Sequence, residues 1–330
     1  MSADRWHLVG DIGGTNARFA FAEPGEPRPA ALASYQVTDF PTFGGVLSQL
    51  RQDWRAMGLD DARLSQICLA VAALPNQPVI SFTNNPWRFT RDELAEQTGC
   101  AQVSIINDFA AVARSLPALG TRDLESIGGG HCEPGFPMVT IGPGTGTGVA
   151  SLAFDRDGTP IVLAGEGGHV DFAPITDIEA EILKILRARY GRVSIERLLC
   201  GAGIQNIYRT LGEIRSLPTP HQTPEQIGGA AQSGRDILAA EAMNTFFSVL
   251  GSAAGNLALT LGARGGVFIA GGIAPRYIDL LRSSDFRARF LAKGRFADFN
   301  GEISTAVITH PDPGLLGAAL TSEDALRHEH

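Results

Sequence analysis

In this chain of 330 residues, Asp108 with Asn107 beside it, the acids and imidazole of Glu166, His169 and Glu196, and two glycine-rich turns bear on chemistry. The turns are Gly10-Asp11-Ile12-Gly13-Gly14-Thr15-Asn16 and Gly142-Pro143-Gly144-Thr145-Gly146-Thr147-Gly148. Glycines let backbone N–H groups come close to an anion, and Thr15, Thr145 and Thr147 add hydroxyl donors. Asp11 sets a carboxylate beside the first anion site, where an acid makes sense mainly if a cation also binds. Both turns sit between apolar runs, His7-Leu8-Val9 and Ala17–Ala22 for one, Met138–Ile141 and Val149–Phe154 for the other, so each reads as the bend of a β-hairpin. One such hairpin is suggestive; two are an argument for nucleotide phosphates.

Each of these residues also has a plainer role. Neither turn contains the Gly-Lys-Ser/Thr of a Walker loop, and neither gives G-x-G-x-x-G opening a helix, so what stands against phosphate binding is a pair of tight turns. Asp108 falls where a strand, Val103–Ile106, runs into a helical stretch, Phe109–Ala113. An Asp there caps the helix in many proteins, but the carboxyl end of a buried strand is also where α/β proteins hold ligands. Glu166-Gly167-Gly168-His169 reads equally as a polar surface loop. Glu196 follows Ser194, an N-cap type, and by itself complements a helix dipole. Together, two carboxylates, an amide and an imidazole between two phosphate loops suit phosphorylation of a hydroxyl on a sugar.

The elements that must position them alternate between strand and helix. Ile67–Ala72 reads as a buried strand, Thr90-Arg91-Asp92-Glu93 as a capping box for a helix that Gly99 ends, and Thr176-Asp177-Ile178-Glu179 as a second box ended by Gly191. Leu163–Val170 reads as a glycine-rich loop, Gly266–Ile273 as a strand ending in the pair Gly271-Gly272, and the chain closes with a strand over Thr305–Thr309 and a helix from about Pro313. The expectation is an α/β protein with a duplicated two-lobe plan: residues 1–117 plus 310–330 in a small lobe, 118–309 in a large one.

Composition narrows the function further. Apolar residues make up 44% and charged residues 19%, as in an ordinary globular protein, and the net charge is −8 with scattered basic residues, which disfavours nucleic acid. Cys68, Cys100, Cys132 and Cys200 form no C-x-x-C pair, so reduced thiols are expected and neither zinc nor disulfides. Asp4 and Arg5 stand straight before the first strand, which leaves no room for a signal-peptide core. Ala242–Ala263 carries no charge and a G-x-x-x-G spacing, yet its Asn, Ser and Gly content predicts a buried helix rather than a membrane span.

Taken in order along the chain, the motifs resemble those of bacterial glucokinases in the hexokinase superfamily. The similarity rests on Gly10–Arg18, Ile106-Asn107-Asp108-Phe109, Gly144-Thr145-Gly146, Gly165-Glu166-Gly167-Gly168-His169-Val170-Asp171-Phe172, Ser194-Ile195-Glu196-Arg197, Gly266–Ile273 and Pro313–Gly317. The resemblance implies two ribonuclease H-like lobes of the actin/hexokinase type with a cleft between them. It implies ATP-dependent phosphorylation of D-glucose at its 6-hydroxyl, feeding glycolysis, with Asp108 as general base. Asn107, Asp108, Glu166, His169 and Glu196 would bind the sugar. Gly10, Asp11, Ile12, Gly13, Gly14, Thr15, Gly144, Thr145, Gly146 and Thr147 would grip the ATP phosphates, with Gly271 and Gly272 flanking the adenosine. Asp11 would lie near Mg²⁺, reached through water. A cytoplasmic homodimer is implied as well, and lobes that close over sugar to exclude water. The related repressor and kinase family carries a zinc-binding cysteine cluster after a His; His169 is followed by none. A kinase for another hexose, a non-catalytic ATP- or sugar-binding regulator and a dinucleotide oxidoreductase are the competing expectations.

Overall fold

The computed structural model describes residues 5–26 and 28–328, so residues 1–4, 27 and 329–330, which the sequence assigns to the small lobe, lie outside it. The chain divides into two compact units. One runs to Leu119 and resumes at His310; the other spans Gly120–Thr309.

The first unit is built on strands β1 (Trp6–Ile12), β2 (Asn16–Ala22), β3 (Ala30–Gln36) and β4 (Leu64–Val71), a short ribbon of β5 (Ile80–Ser81) and β6 (Arg88–Phe89), and β7 (Val103–Asn107). Its main sheet is ordered β3-β2-β1-β4-β7, with β1, β2 and β3 antiparallel and β4 and β7 parallel to β1. Helix α1 (Phe43–Ala56) lays Val46, Leu47, Leu50 and Trp54 on the face bearing Leu8, Ile12, Ile67, Leu69 and Val71. The C-terminal helix (Pro313–His328) puts Leu315, Ala318 and Ala319 on the opposite face, against Val9, Ala20 and Cys68. A strand covered on both faces has no polar side to show, which is why Ile67–Val71 is an unbroken apolar run. Helix α2 (Arg91–Thr98) leads into β7, and α3 (Asp108–Ser115) follows it directly.

The second unit repeats that plan with one strand added. Its strands are β8 (Leu124–Gly128), β9 (Met138–Pro143), β10 (Thr147–Phe154), β11 (Pro160–Gly165), β12 (Gly266–Ile269) and β13 (Thr305–Ile308), in the order β11-β10-β9-β12-β13-β8. Again three strands meander antiparallel and two follow parallel; β8 joins antiparallel at the edge. Helices α4 (Asp177–Tyr190), α5 (Gly201–Arg215), α6 (Pro224–Gln232) and α7 (Ile237–Leu261) supply most of its core.

Local chemistry sets the helix ends. The capping boxes at Thr90/Glu93 and Thr176/Glu179 are both formed, and Gly99 (φ 73°) and Gly191 (φ 75°) stop their helices. Such a cap contributes about 1 kcal/mol. Helix α7 is long and apolar enough to cross a membrane, yet most of it is buried inside this unit. Its Gly251 and Gly255 let another helix approach: a Cβ on either would stand 2.1 Å from the Phe286 carbonyl oxygen or 2.6 Å from that of Phe290. Two readings need correction. Leu163, Ala164 and Gly165 complete β11 rather than a loop, because they pair with Ser151, Ala150 and Val149. Ser194 starts only a single 3₁₀ turn, Ile195–Arg197, and its side chain makes no capping bond, so no helix dipole awaits Glu196 there.

Candidate active site

In the first unit the catalytic candidates share one edge of the sheet. Ile12 is in register with Val71, and Val71 with Asn107, so the first glycine hairpin and the Asn107-Asp108 pair end neighbouring rows at the carboxyl edge. Two strand spacings separate β1 from β7, about 10 Å. Asn107, not Asp108, caps α3: its Oδ1 accepts the N–H groups of Phe109 (2.9 Å) and Ala110 (3.1 Å). Asp108 is therefore the first residue of the helix. It is half-buried, and its Oδ1 accepts the Phe109 N–H at 2.9 Å, which fixes the carboxyl at the head of the helix.

The first hairpin is anchored from a distance. Gly13 donates its N–H to the Asn16 carbonyl (2.9 Å), and the Asn85 amide donates to the Gly13 carbonyl (3.1 Å). Gly13 and Gly14 are half-buried and Thr15 is exposed. Gly10 and Ile12 do not join that surface. Ile12 lies fully within the core, and Gly10 is there because a Cβ would stand 2.7 Å from Leu69 and 3.1 Å from Phe19. Asp11 points to the other face, where the C-terminal helix begins: a Cβ on Gly314 would lie 2.9 Å from Asp11 Oδ2. Burial pushes the Asp11 carboxyl up to about 6, Arg18 pulls against it and Asp312 adds to it. An acid held at that cost is a natural partner for a cation.

In the second unit the remaining candidates converge on the other hairpin. Gly167 and Gly168 have no side chain because β10 lies directly beneath; a Cβ on Gly168 would stand 2.2 Å from the Thr147 carbonyl oxygen. That contact places Glu166 and His169, both exposed, at the hairpin. The same segment is tied to the Glu196 turn by Ile195 N–H donating to Val170 (2.9 Å) and by a bridge between Asp171 and Ser194. Arg192 clasps the two, donating to the His169 carbonyl (2.6 Å) and pairing with Asp171 (2.7 Å). Glu196 reaches the hairpin itself, where its Oε2 accepts the Thr147 N–H at 2.8 Å. Thr147 is buried and its hydroxyl donates to the Leu199 carbonyl, so both its donors are engaged by protein; Thr145 is exposed. Gly271, at φ 79°, sits where a Cβ would stand 2.4 Å from the Pro143 carbonyl, which brings Gly271-Gly272 beside the same hairpin.

Asn85, Arg192, Gly201 (which donates its N–H to Gly144, 2.9 Å) and Gly314 hold these residues in place, and sequence reasoning assigned none of them to the site. Their contacts span many residues and follow no motif, apart from Gly314 in the C-terminal Pro313–Gly317 block.

A duplicated sheet with a glycine hairpin in each copy, an Asn-Asp pair at one carboxyl edge and a Glu/His/Glu cluster on the other hairpin define a sugar kinase of the actin-like ATPase fold. The glucokinase family profile matches residues 8–325. A glucokinase of Marinobacter nauticus is 42% identical over 320 residues, covering 97% of this chain and 98% of the relative. The crystal structure of a glucokinase from an Antarctic psychrotroph is 33% identical with a TM-score of 0.86, covering 97% and 99% of the two chains. A ROK-family glucokinase from Streptomyces griseus, solved with glucose and AMPPNP, shares the fold at 17% identity and a TM-score of 0.62, covering 95% and 98%. The chain belongs to the glucokinase family.

Proposed function

We propose that this protein transfers the γ-phosphoryl group of ATP to the 6-hydroxyl of D-glucose, with Asp108 as general base. The observation that carries the reading is the placement of Asp108 at the head of α3, on the sheet edge it shares with the first glycine hairpin. Phosphoryl transfer needs positioning and charge neutralisation more than covalent help. An alcohol is a poor nucleophile, so Asp108 accepts the hydroxyl proton as the bond from oxygen to phosphorus forms, and ADP leaves with the electron pair of the broken bond. General-base help of this kind is worth roughly 10²–10⁴-fold in rate.

Asn107, Glu166, His169 and Glu196 hold the other sugar hydroxyls. The carboxylates accept and the Asn amide donates, a set matched to neighbouring hydroxyl groups. Backbone amides of Gly14, Thr145 and Gly146, with the Thr15 and Thr145 hydroxyls, serve the phosphates, while the Gly13 and Gly144 amides close their own turns on Asn16 and Gly146; Gly271-Gly272 leave flat, side-chain-free backbone for the adenosine. Asp11 fits a role beside Mg²⁺. It is a single acid raised by burial, and no group of three His, Cys, Asp or Glu residues able to cage a metal occurs among the described residues. That pattern suits an ion carried mainly by the nucleotide phosphates. When bound, Mg²⁺ offsets phosphate charge.

The four cysteines are free thiols, three of them buried, which suits a reducing cytoplasm. A homodimer is part of this reading. Ile161 and Leu163 stand 46% and 49% exposed on β11, an edge strand, and light scattering at twice the monomer mass would bear it out. The activity itself is tested with a panel of sugars against ATP, ADP and polyphosphate. Glucose with ATP is expected to give the highest kcat/KM; a preference for mannose, glucosamine or fructose would reassign the acceptor, and no turnover with any sugar would refute the reading.

A further inference from the structure

We propose that Glu196 is a positioning residue that couples the sugar subsite to the second phosphate hairpin: without sugar its carboxylate occupies the Thr147 N–H, and sugar draws it off, opening the hairpin to nucleotide phosphate. The inference rests on the glucose-kinase reading above. Three observations carry it. Glu196 Oε2 accepts the Thr147 N–H at 2.8 Å, so one of the amides of the phosphate turn is already held by an anion of the protein's own. The same oxygen lies 2.6 Å from where a Cβ on Gly146 would stand, so this contact needs the bare glycine. The turn that carries Glu196 is also fastened to the segment that carries Glu166 and His169, by the Ile195–Val170 hydrogen bond of 2.9 Å and the Asp171–Ser194 bridge. One half-buried side chain thus belongs to both neighbourhoods.

Charge gives the direction of the effect. A carboxylate on the Thr147 amide fills a donor that a phosphate oxygen would use, and it sets a like charge beside an incoming polyanion. Neighbouring sugar hydroxyls offer the carboxylate two donors where the hairpin offers one. With the carboxylate turned to the sugar, the amide is released and the repulsion falls. The coupling is reciprocal by necessity: sugar tightens nucleotide binding by the same factor as nucleotide tightens sugar binding.

The test is titration calorimetry on the full chain with a non-hydrolysable ATP analogue and Mg²⁺, alone and at saturating glucose, with the reverse titration as its check. The wild-type chain is expected to bind the analogue at least tenfold more tightly with glucose present. Glu196→Gln keeps the shape and loses the charge; its coupling falls below threefold, chiefly because the analogue binds more tightly in the absence of sugar. Hydrogen exchange supplies a second readout, in which glucose alone speeds exchange of the Thr147 amide in the wild type and leaves it unchanged in Glu196→Gln. Full coupling in Glu196→Gln, or a Thr147 amide indifferent to glucose in the wild type, overturns the proposal while glucose phosphorylation stands. A chain that binds neither ligand and phosphorylates no sugar overturns the underlying reading instead.

Discussion

The two glycine hairpins occupy the same place in duplicated sheets, and each has a carboxylate pressed against a glycine, yet the two acids are held in different ways. Asp11 belongs to the strand that enters its hairpin, and Gly314 of the C-terminal helix closes over it, 2.9 Å from carboxyl oxygen to the position of a Cβ. It has nowhere to go, and burial pushes it up to about 6. Glu196 arrives from a turn 49 residues beyond its hairpin, on a longer side chain, and takes an amide of the bend. The fixed acid suits a cation that stays with the nucleotide, whereas the movable one suits a ligand that comes and goes. Duplication supplied one scaffold twice, and the acid set against each bend is held in its own way.

The largest expected effect separates the anchors of the two units. In the second, the Glu179 carboxylate closes the α4 capping box and pairs with Arg289 at 2.7 Å, almost wholly buried. In the first, Arg114 on α3 pairs with Asp324 on the C-terminal helix at 2.6 Å; the arginine is as buried as Arg289, but the acid is far more exposed than Glu179, so water reaches the pair from its side. Glu179→Ala leaves Arg289 buried and unpaired, and is expected to cost about 3–5 kcal/mol by urea unfolding. Asp324→Ala is expected to cost less than half of that. Equal losses would mean that the two anchors are equivalent.

Next comes Asp11. Well below pH 4, under the ordinary carboxyl range, it is protonated in folded and unfolded chains alike. As pH rises towards 6 the unfolded chain gives up the proton while the folded chain keeps it, so stability declines through that window and stays lower above it. Asp11→Asn is expected to remove the decline and raise stability at pH 7 by up to about 3 kcal/mol, measured by unfolding between pH 4 and 8 without Mg²⁺. It should also weaken the dependence of activity on Mg²⁺. An unchanged pH profile would break the contrast with Glu196.

Gly168→Ala and Gly317→Ala test close approach in each unit. A Cβ at 168 meets the Thr147 carbonyl oxygen at 2.2 Å, and one at 317 meets that of Ala111 at 1.7 Å. Each is expected to cost about 1–3 kcal/mol. Only Gly168→Ala should also weaken glucose binding, as measured by calorimetry. The smallest effect belongs to Arg192→Ala. Its ion pair with Asp171 is exposed and worth under about 1 kcal/mol, so stability should hold while the KM for glucose rises a few-fold and kcat changes little.

What the sequence made legible was local. Glycine turns, capping boxes and an unbroken apolar strand each carry their cause within a few residues, and so the hairpins, α2, α4 and β4 could be read directly. The Asn107-Asp108 junction was legible in place but not in role, because either residue is a good cap and only the backbone shows that Asn107 takes it. Gly10 and Ile12 looked like phosphate residues because they sit inside a motif; strand alternation turns Ile12 into the core, and Leu69, 59 residues from Gly10 in sequence, packs where a Cβ on Gly10 would stand. Glu196 on the Thr147 amide was out of reach for the same reason. Nothing within its own segment announces a partner across a crossing of the chain.

The proposed reading assigns the base to a residue of the first unit and most of the sugar's hydroxyl partners to residues of the second. Its most direct test is Asp108→Asn, assayed by coupled kinetics for kcat and by calorimetry for glucose affinity, beside His169→Ala. Asp108→Asn is expected to lose roughly 10²–10⁴-fold in kcat while its glucose affinity stays within a few-fold of wild type, and His169→Ala to do the reverse. Near-normal turnover in Asp108→Asn with glucose still bound would contradict that reading.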